Sequence, residues 1–377
     1  MDLYHNSSAP FTNWIIKNGL LQEKFVVIDI GCQGGEHPRW KLLGDQVEFF
    51  GFDPIEEVIA GLRRDALPGR TYFEFALGES DEEREFFVSD NTFSSSFFGG
   101  GPGALNGSPE IARGRRMVPM RRLDGLFATG VIPTADYIKL DCEGFEPYIL
   151  RGARDYLAAS RLVCVTTETG FNSAFCELKD ILAKYRLLVF DVNTVRTPRA
   201  SYDVALREHP WPEPNPLCDA PHLHVGSPGT LDVVFCPDLV AEAARSPNSA
   251  TPAVDRLIKA MINFELHGLM DTAFDIAVHF RGALQERFDV DEGMRLLLIP
   301  PPHARNTADV INCLKMIAEL RLIALKANEL AKASEAPKVD EPLTDALAPS
   351  LDRYCGRELL KEALRRLRRR ILKGQSR

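Results

Sequence analysis

The chain has 377 residues, enough for one large or two unequal domains with ample apolar content for burial. Its formal charge of -8 is unevenly placed: residues 351–377 hold ten Lys/Arg against three Asp/Glu, so the body is acidic, which argues against nucleic acid as the main partner. The eight cysteines are scattered without a C-x-x-C pair and read as reduced thiols; no stretch approaches the ~18 apolar residues of a membrane span, and the first residues lack a basic leader, so the expected location is the cytoplasm.

In chain order, residues 24–30 (KFVVIDI) form a short β-branched apolar run ending at Gly31, which predicts a strand buried on both faces of a parallel sheet. A helix over 38–43 and a second strand over 47–52 follow, the strand ending at Asp53 and Pro54 with a helix over 55–64 behind it. Residues 71–76 predict the third strand and 85–88 a short extra one. The Ser-, Asn- and Gly-rich residues 90–114 predict a loop.

Further strands are expected over 135–140, 162–166, 186–190 and 231–236, with a helix over 147–157. Strands alternating with helices predict an α/β class with a mainly parallel sheet. A Pro-rich insertion or lid over about 197–230 carries His209, His222 and His224, which have no zinc spacing with cysteines or with one another and read as loop histidines. After about residue 240 the periodicity is helical only, over 239–245, 253–269, 273–288, 307–333 and 357–373. The expected division is therefore a domain over 1–240 and a helical region over 241–377. Its basic tail puts Leu360, Leu364, Leu367 and Ile371 on one helical face, a surface for packing or homo-oligomerisation, with an anionic membrane surface as the alternative.

The turn Asp29-Ile-Gly-Cys-Gln-Gly-Gly35 joins a strand to a helix, where missing side chains let backbone amides approach a ligand. Asp53 follows Gly31 by 22 residues at the end of strand two, where a carboxylate can accept from both hydroxyls of a ribose. Asp53 can equally cap the turn before Pro54 without excluding a ligand. NAD enzymes share this layout, but Gly31, Gln33 and Gly35 do not make G-x-G-x-x-G, which demotes an NAD-dependent oxidoreductase.

The discriminating segment is 137–153, YIKLDCEGFEPYILRGA, which closely resembles the signature of the FkbM family: K-x-D-x-E-G-x-E at a strand end, then a helix closing in L-x-G-A. Residues 29–35, Phe52-Asp53-Pro54, Phe75-Ala-Leu-Gly78, Ser94-Ser-Ser96 and Arg122-Leu-Asp124 are similar to the family's other motifs in order, with Gln33 where Asn is usual. The resemblance covers roughly residues 20–195. It implies a Rossmann-like seven-stranded sheet and a methyltransferase that uses S-adenosylmethionine (SAM). By position it implies cofactor contacts from Asp29, Gly31 and Gly35 around the methionine part, from Cys32 and Gln33 of the same loop, from Asp53 at the ribose, and from Ala76 and Leu77 at the adenine edge.

Asp141 and Glu168 fall at the C-terminal ends of strands four and five, which the resemblance makes neighbours. Two carboxylates there can serve as a general base with its partner, or hold a divalent cation that polarises an acceptor hydroxyl. The structural alternatives are that Asp141 caps the next helix and that Glu168 pairs with a nearby Arg or Lys. Glu143 and Glu146 sit just ahead of Pro147, where a helix dipole favours them, and Lys139 on a buried strand needs a partner such as Asp141 or Asp124. The expected function is O-methylation of a hydroxyl on a glycan or a polyketide-like small molecule. A non-catalytic scaffold that keeps the fold is the second reading, and SAM binding separates the two.

Overall fold

Strand β1 (Phe25–Ile30) is buried at every position, as its unbroken apolar run requires of a central strand. The computed structural model describes residues 9–89, 92, 95–98, 112–197, 227–246 and 250–298. Around β1 a seven-stranded sheet assembles in the order β3-β2-β1-β7-β8-β10-β9. Its strands are β2 (Val47–Phe52), β3 (Arg70–Phe73), β7 (Tyr137–Leu140), β8 (Cys164–Gly170), β9 (Leu187–Thr197) and β10 (Ser227–Pro237). The pairings β3/β2, β2/β1, β1/β7 and β7/β8 are parallel, and β10 lies antiparallel between β8 and β9. This is the Rossmann-like arrangement the sequence predicts, with the final strand inserted before the sixth.

The third predicted strand divides. β3 ends at Phe73, and Ala76–Leu77 becomes β4 of a second sheet, ordered β4-β6-β5, with β5 at Glu82–Ser89 and β6 at Ala112–Arg121. Sequence reading missed β6, because its Arg residues and Pro119 hide the alternation. Val118 and Met120 are nevertheless buried, while Pro119 between them is only half-buried and Met117 before them is exposed, which is the period-two pattern of a half-buried strand. The predicted loop over 90–114 thus yields its last residues to β6.

Helices α1 (Pro10–Lys17), α2 (Pro38–Lys41), α3 (Glu56–Arg64) and α4 (Leu123–Ala128) precede β7. The helix expected over 147–157 is two, α5 (Glu146–Arg151) and α6 (Arg154–Ala159), broken at Gly152. A Cβ on Gly152 would stand 2.0 Å from the Gly78 carbonyl oxygen, so the chain passes too close there for any side chain. Asp124 accepts from the Tyr156 amide at 2.9 Å and secures the start of α6.

α7 (Ser173–Ala183) links β8 to β9, and α8 (Leu239–Arg245), α9 (Val254–Leu266), α10 (Met270–His279) and α11 (Arg281–Leu284) follow β10. Contacts divide the chain into a compact unit over Phe11–Val290 and another comprising Met1–Pro10 and Asp291–Arg377, which contains nearly all of α12 (Val290–Leu297). Within the first unit α9 packs on the sheet. It is buried from Asp255 to Leu266 except at half-buried Arg256, unlike a helix at a free surface. Its Lys259 ammonium lies 2.9 Å from Asp136 ahead of β7, its Asn263 donates to Cys236 of β10, and its Phe264 ring meets Phe190 of β9. Glu265 accepts from the Phe11 and Thr12 amides and the Thr12 hydroxyl, fastening α1 to α9. The helices predicted over 307–333 and 357–373, and His209, His222 and His224, lie outside the described residues.

Candidate active site

The parallel register sets the site. Asp29 of β1 stands opposite Lys139 of β7, and one step beyond the last paired residues, Ile30 and Leu140, the chain reaches Gly31 and Asp141. Gly31 has φ +80, and a Cβ there would fall 1.9 Å from the Asp141 carbonyl oxygen. Only glycine admits that backbone approach, so Gly31 fixes how the loop after β1 meets the end of β7. The loop is tied down by the Gly31 and Cys32 amides donating to the Phe52 carbonyl and the Gly35 amide donating to Cys32. Gln33 reaches across to the Thr92 hydroxyl.

A pocket opens beside this loop, lined among others by Gly31, Gln33, Asp53, Ala76, Leu77 and Asp141. Asp29, Cys32, Gly35 and Glu168 do not line it. Cys32 is buried with its sulfur 2.9 Å from where a Gly51 Cβ would be, and burial pushes its thiol well above the ordinary range. Its side chain is core, and Asp29 and Gly35 shape the loop from behind. Phe97, Phe145 and Thr92 also line the pocket; only their position in the fold marks them, and no sequence pattern does.

Asp53 ends β2 with one carboxylate oxygen accepting from the Ile55 amide at 2.9 Å, while the helix N-cap is Ile55 itself. The other oxygen has no partner among the described residues. Burial pushes Asp53 up to about 6, against the pull of the Ile55 amide. A pocket-lining carboxylate with spare acceptor capacity beside small apolar Ala76 and Leu77 fits the diol and flat base of an adenosyl group. Asp53→Ala should weaken S-adenosylhomocysteine (SAH) binding about tenfold, some 1.4 kcal/mol, in a calorimetric titration. Unchanged affinity would remove Asp53 from that role.

Asp141 follows the end of β7, but Glu168 does not end its strand as expected, because pairing with β10 extends β8 two residues further to Gly170. Leu140 pairs with Thr167, so Asp141 and Glu168 follow at one level on neighbouring strands, and Asp232 of β10 faces Glu168 from the other side. Asp141 does not cap α5, whose N-cap is Phe145. It instead holds the Lys139 ammonium at 3.1 Å, and Lys139 also contacts Asp29 at 3.4 Å and the Gly31 carbonyl at 3.2 Å. Lys139 therefore finds Asp141 and Asp29 and not Asp124. Burial opposes its charge, yet the two carboxylates hold its pKa above the ordinary lysine value.

Glu168 has no ion-pair partner among the described residues. Burial pushes its carboxyl up to about 7, reinforced by the charges of Asp141, Asp232 and Glu146 and offset in part by Lys139. Glu146 is fully buried and accepts from the Cys142 and Gly144 amides at 2.8 and 3.2 Å, clamping the loop that carries Asp141. Its own pKa rises to about 6 through burial, against the pull of these amides. Glu143 in that loop adopts a left-handed φ of 53 and lines the pocket. Among the described residues no group of three or more His, Cys, Asp or Glu is placed to hold a metal ion, and no helix is long and apolar enough to cross a membrane.

A seven-stranded sheet with its last strand antiparallel, a glycine turn after β1 and a pocket carboxylate ending β2 make this a Rossmann-like α/β fold with a ligand pocket at the strand ends. Residues 37–190 match the methyltransferase FkbM domain, a segment running from the helix after the glycine loop through Asp53, Asp141 and Glu168 to β9. Residues 37–190 are thus similar to an FkbM methyltransferase domain, which points to SAM as the cofactor. No curated protein matches the chain. Among solved structures it is similar to a putative SAM-dependent methyltransferase from Listeria monocytogenes, at 11% identity over 60% of this chain and 96% of that one, TM-score 0.30. It is likewise similar to a precorrin-6y C5,15-methyltransferase from Geobacter metallireducens, at 10% identity over 58% and 84%, TM-score 0.28. A third is the 1,6-didemethyltoxoflavin-N1-methyltransferase of Burkholderia thailandensis, at 11% identity over 62% and 79%, TM-score 0.27.

Proposed function

We propose that the protein methylates a hydroxyl group of a small acceptor, a sugar or glycan unit or a polyketide-like metabolite. When bound, SAM supplies an electrophilic methyl group on a sulfonium. The chain's own part is to bind, to orient and to take a proton. The Gly31 turn, Asp53, Ala76 and Leu77 would hold the cofactor, and Asp141 with Glu168 would meet the acceptor at the carboxyl edge of the sheet, where open α/β sheets bind ligands.

The observation that carries this reading is Glu168, a carboxylate without an ion-pair partner among the described residues, whose pKa burial and then Asp141 raise to about 7. A hydroxyl must lose its proton as it is methylated, and a base works best with a pKa near the operating pH. An amine acceptor can react as its free base and needs no such group. Lys139 already supplies the positive charge beside Asp141, so the site works without a divalent cation.

The test is incubation with SAM and a panel of sugars, polyhydroxylated metabolites and amines, with and without EDTA, and NMR identification of the new methyl group. Methoxy products formed equally well in EDTA are expected. Exclusive N- or C-methyl products would overturn the hydroxyl assignment, and loss of turnover in EDTA would restore the metal alternative.

A further inference from the structure

Lys139 occupies an unusual place: one ammonium joins three groups that the sequence separates by more than a hundred residues, namely Asp29 and the Gly31 carbonyl on one side and Asp141 on the other. The Gly31 carbonyl belongs to the glycine turn that borders the pocket, and Asp141 lines that same pocket. The Lys139 side chain is two-thirds shielded, so its contacts are made in a poorly hydrated setting, where charge–charge distances of this order count for more than they do at a surface. Glu168, one strand over, has no such partner among the described residues.

We propose that Lys139 is a positioning residue that holds Asp141 against the glycine turn through their ion pair, leaving Glu168 as the carboxylate that takes the acceptor proton. This rests on the hydroxyl-transfer reading above. The carboxylates then have unequal duties because their neighbours differ. Asp141 faces Lys139 at contact distance. Glu168 faces Asp141 and, more remotely, Lys139 from β7, Asp232 from β10 and Glu146 from α5, so three of its four charged neighbours are acidic. The proton is steered to Glu168 because Asp141 cannot accept it without giving up its ion pair.

Binding of SAH and proton uptake are coupled by the same ammonium. Withdrawing it loosens the Gly31 carbonyl, and so the turn, while removing a positive charge that holds Glu168 down. A structural strut buried away from the site would do the first without the second.

The test uses the full-length, ligand-free protein. The side-chain carboxyl of Glu168 is titrated by carbon-13 NMR, its resonance assigned by its loss in Glu168→Gln, and SAH affinity is measured by calorimetry. In Lys139→Gln the Glu168 midpoint should rise by about one pH unit and SAH should bind about tenfold more weakly. Lys139→Arg should keep the midpoint at the wild-type value. An unchanged midpoint in Lys139→Gln would overturn the proposal. Should that variant not fold, Lys139→Gln with Asp29→Asn removes the uncompensated buried charge, and the midpoint is read there. Both readouts need no turnover, so they stand apart from the hydroxyl-transfer reading, which the rate of Glu168→Gln decides.

Discussion

Glu168→Gln should lower kcat by about 10²–10⁴ while leaving SAH affinity within twofold, the range expected when a positioned general base is lost. That corresponds to about 3–5 kcal/mol of transition-state stabilisation at roughly 1.4 kcal/mol per tenfold. Gln keeps the size of the side chain and one acceptor oxygen, so the loss reports the missing proton acceptor and not a cavity. The pH dependence sharpens this. With its pKa raised to about 7 by burial and by the charges of Asp141, Asp232 and Glu146, Glu168 is increasingly ionised as pH climbs through that value. Wild-type kcat/KM should therefore rise with pH below about 7 and level off above it, and the variant should lack that limb. A variant as fast as wild type, with the limb intact, would leave Glu168 without a chemical role.

Gly31→Ala should be the most damaging single substitution in the cofactor loop. The new Cβ would stand 1.9 Å from the Asp141 carbonyl oxygen, which is backbone and has no flexible end to yield. The residue would also have to hold φ +80, which costs a non-glycine residue about 1–2 kcal/mol before any clash. Relief requires β1 and β7 to separate at their ends, and this disturbs the Lys139 contacts and the hydrogen bonds of the Gly31 and Cys32 amides to Phe52. The expected outcome is a loss of about 4 kcal/mol or more in unfolding free energy, with SAH binding lowered at least a hundredfold. A stable variant with ordinary affinity would show that the turn does not govern the pocket.

Much of this arrangement is written locally. The buried run before Gly31, the spacing from Gly31 to Asp53 and the 137–153 segment are short-range patterns, and each lies where the sequence puts it. β2 begins and ends at the predicted residues because Val47–Phe52 is apolar and bounded by a turn on each side. What the sequence hides is long-range. β6 carries four arginines and a proline, and only pairing with β5 and burial of Val118 and Met120 make it a strand. The break at Gly152 answers a carbonyl seventy-four residues earlier, at Gly78.

The same holds at the site. Lys139 demands a partner by its burial, but whether Asp124, Asp141 or Asp29 supplies it depends on strand order. Glu146 looks like a helix-dipole residue, and its clamp on the Cys142 and Gly144 amides emerges only once the loop is folded back. Cys32 sits in the middle of the loop motif, yet strand pleating turns its sulfur into the core beside Gly51. Motif position therefore identifies the loop, while side-chain direction, set by the pleat, decides which of its residues meet a ligand.

The most direct measurement is calorimetric titration of the full-length protein with SAM, SAH and NAD in parallel. SAM and SAH should bind at one site per chain and NAD should not. A folded protein that binds neither SAM nor SAH would contradict the account at its centre and leave the domain a non-catalytic scaffold.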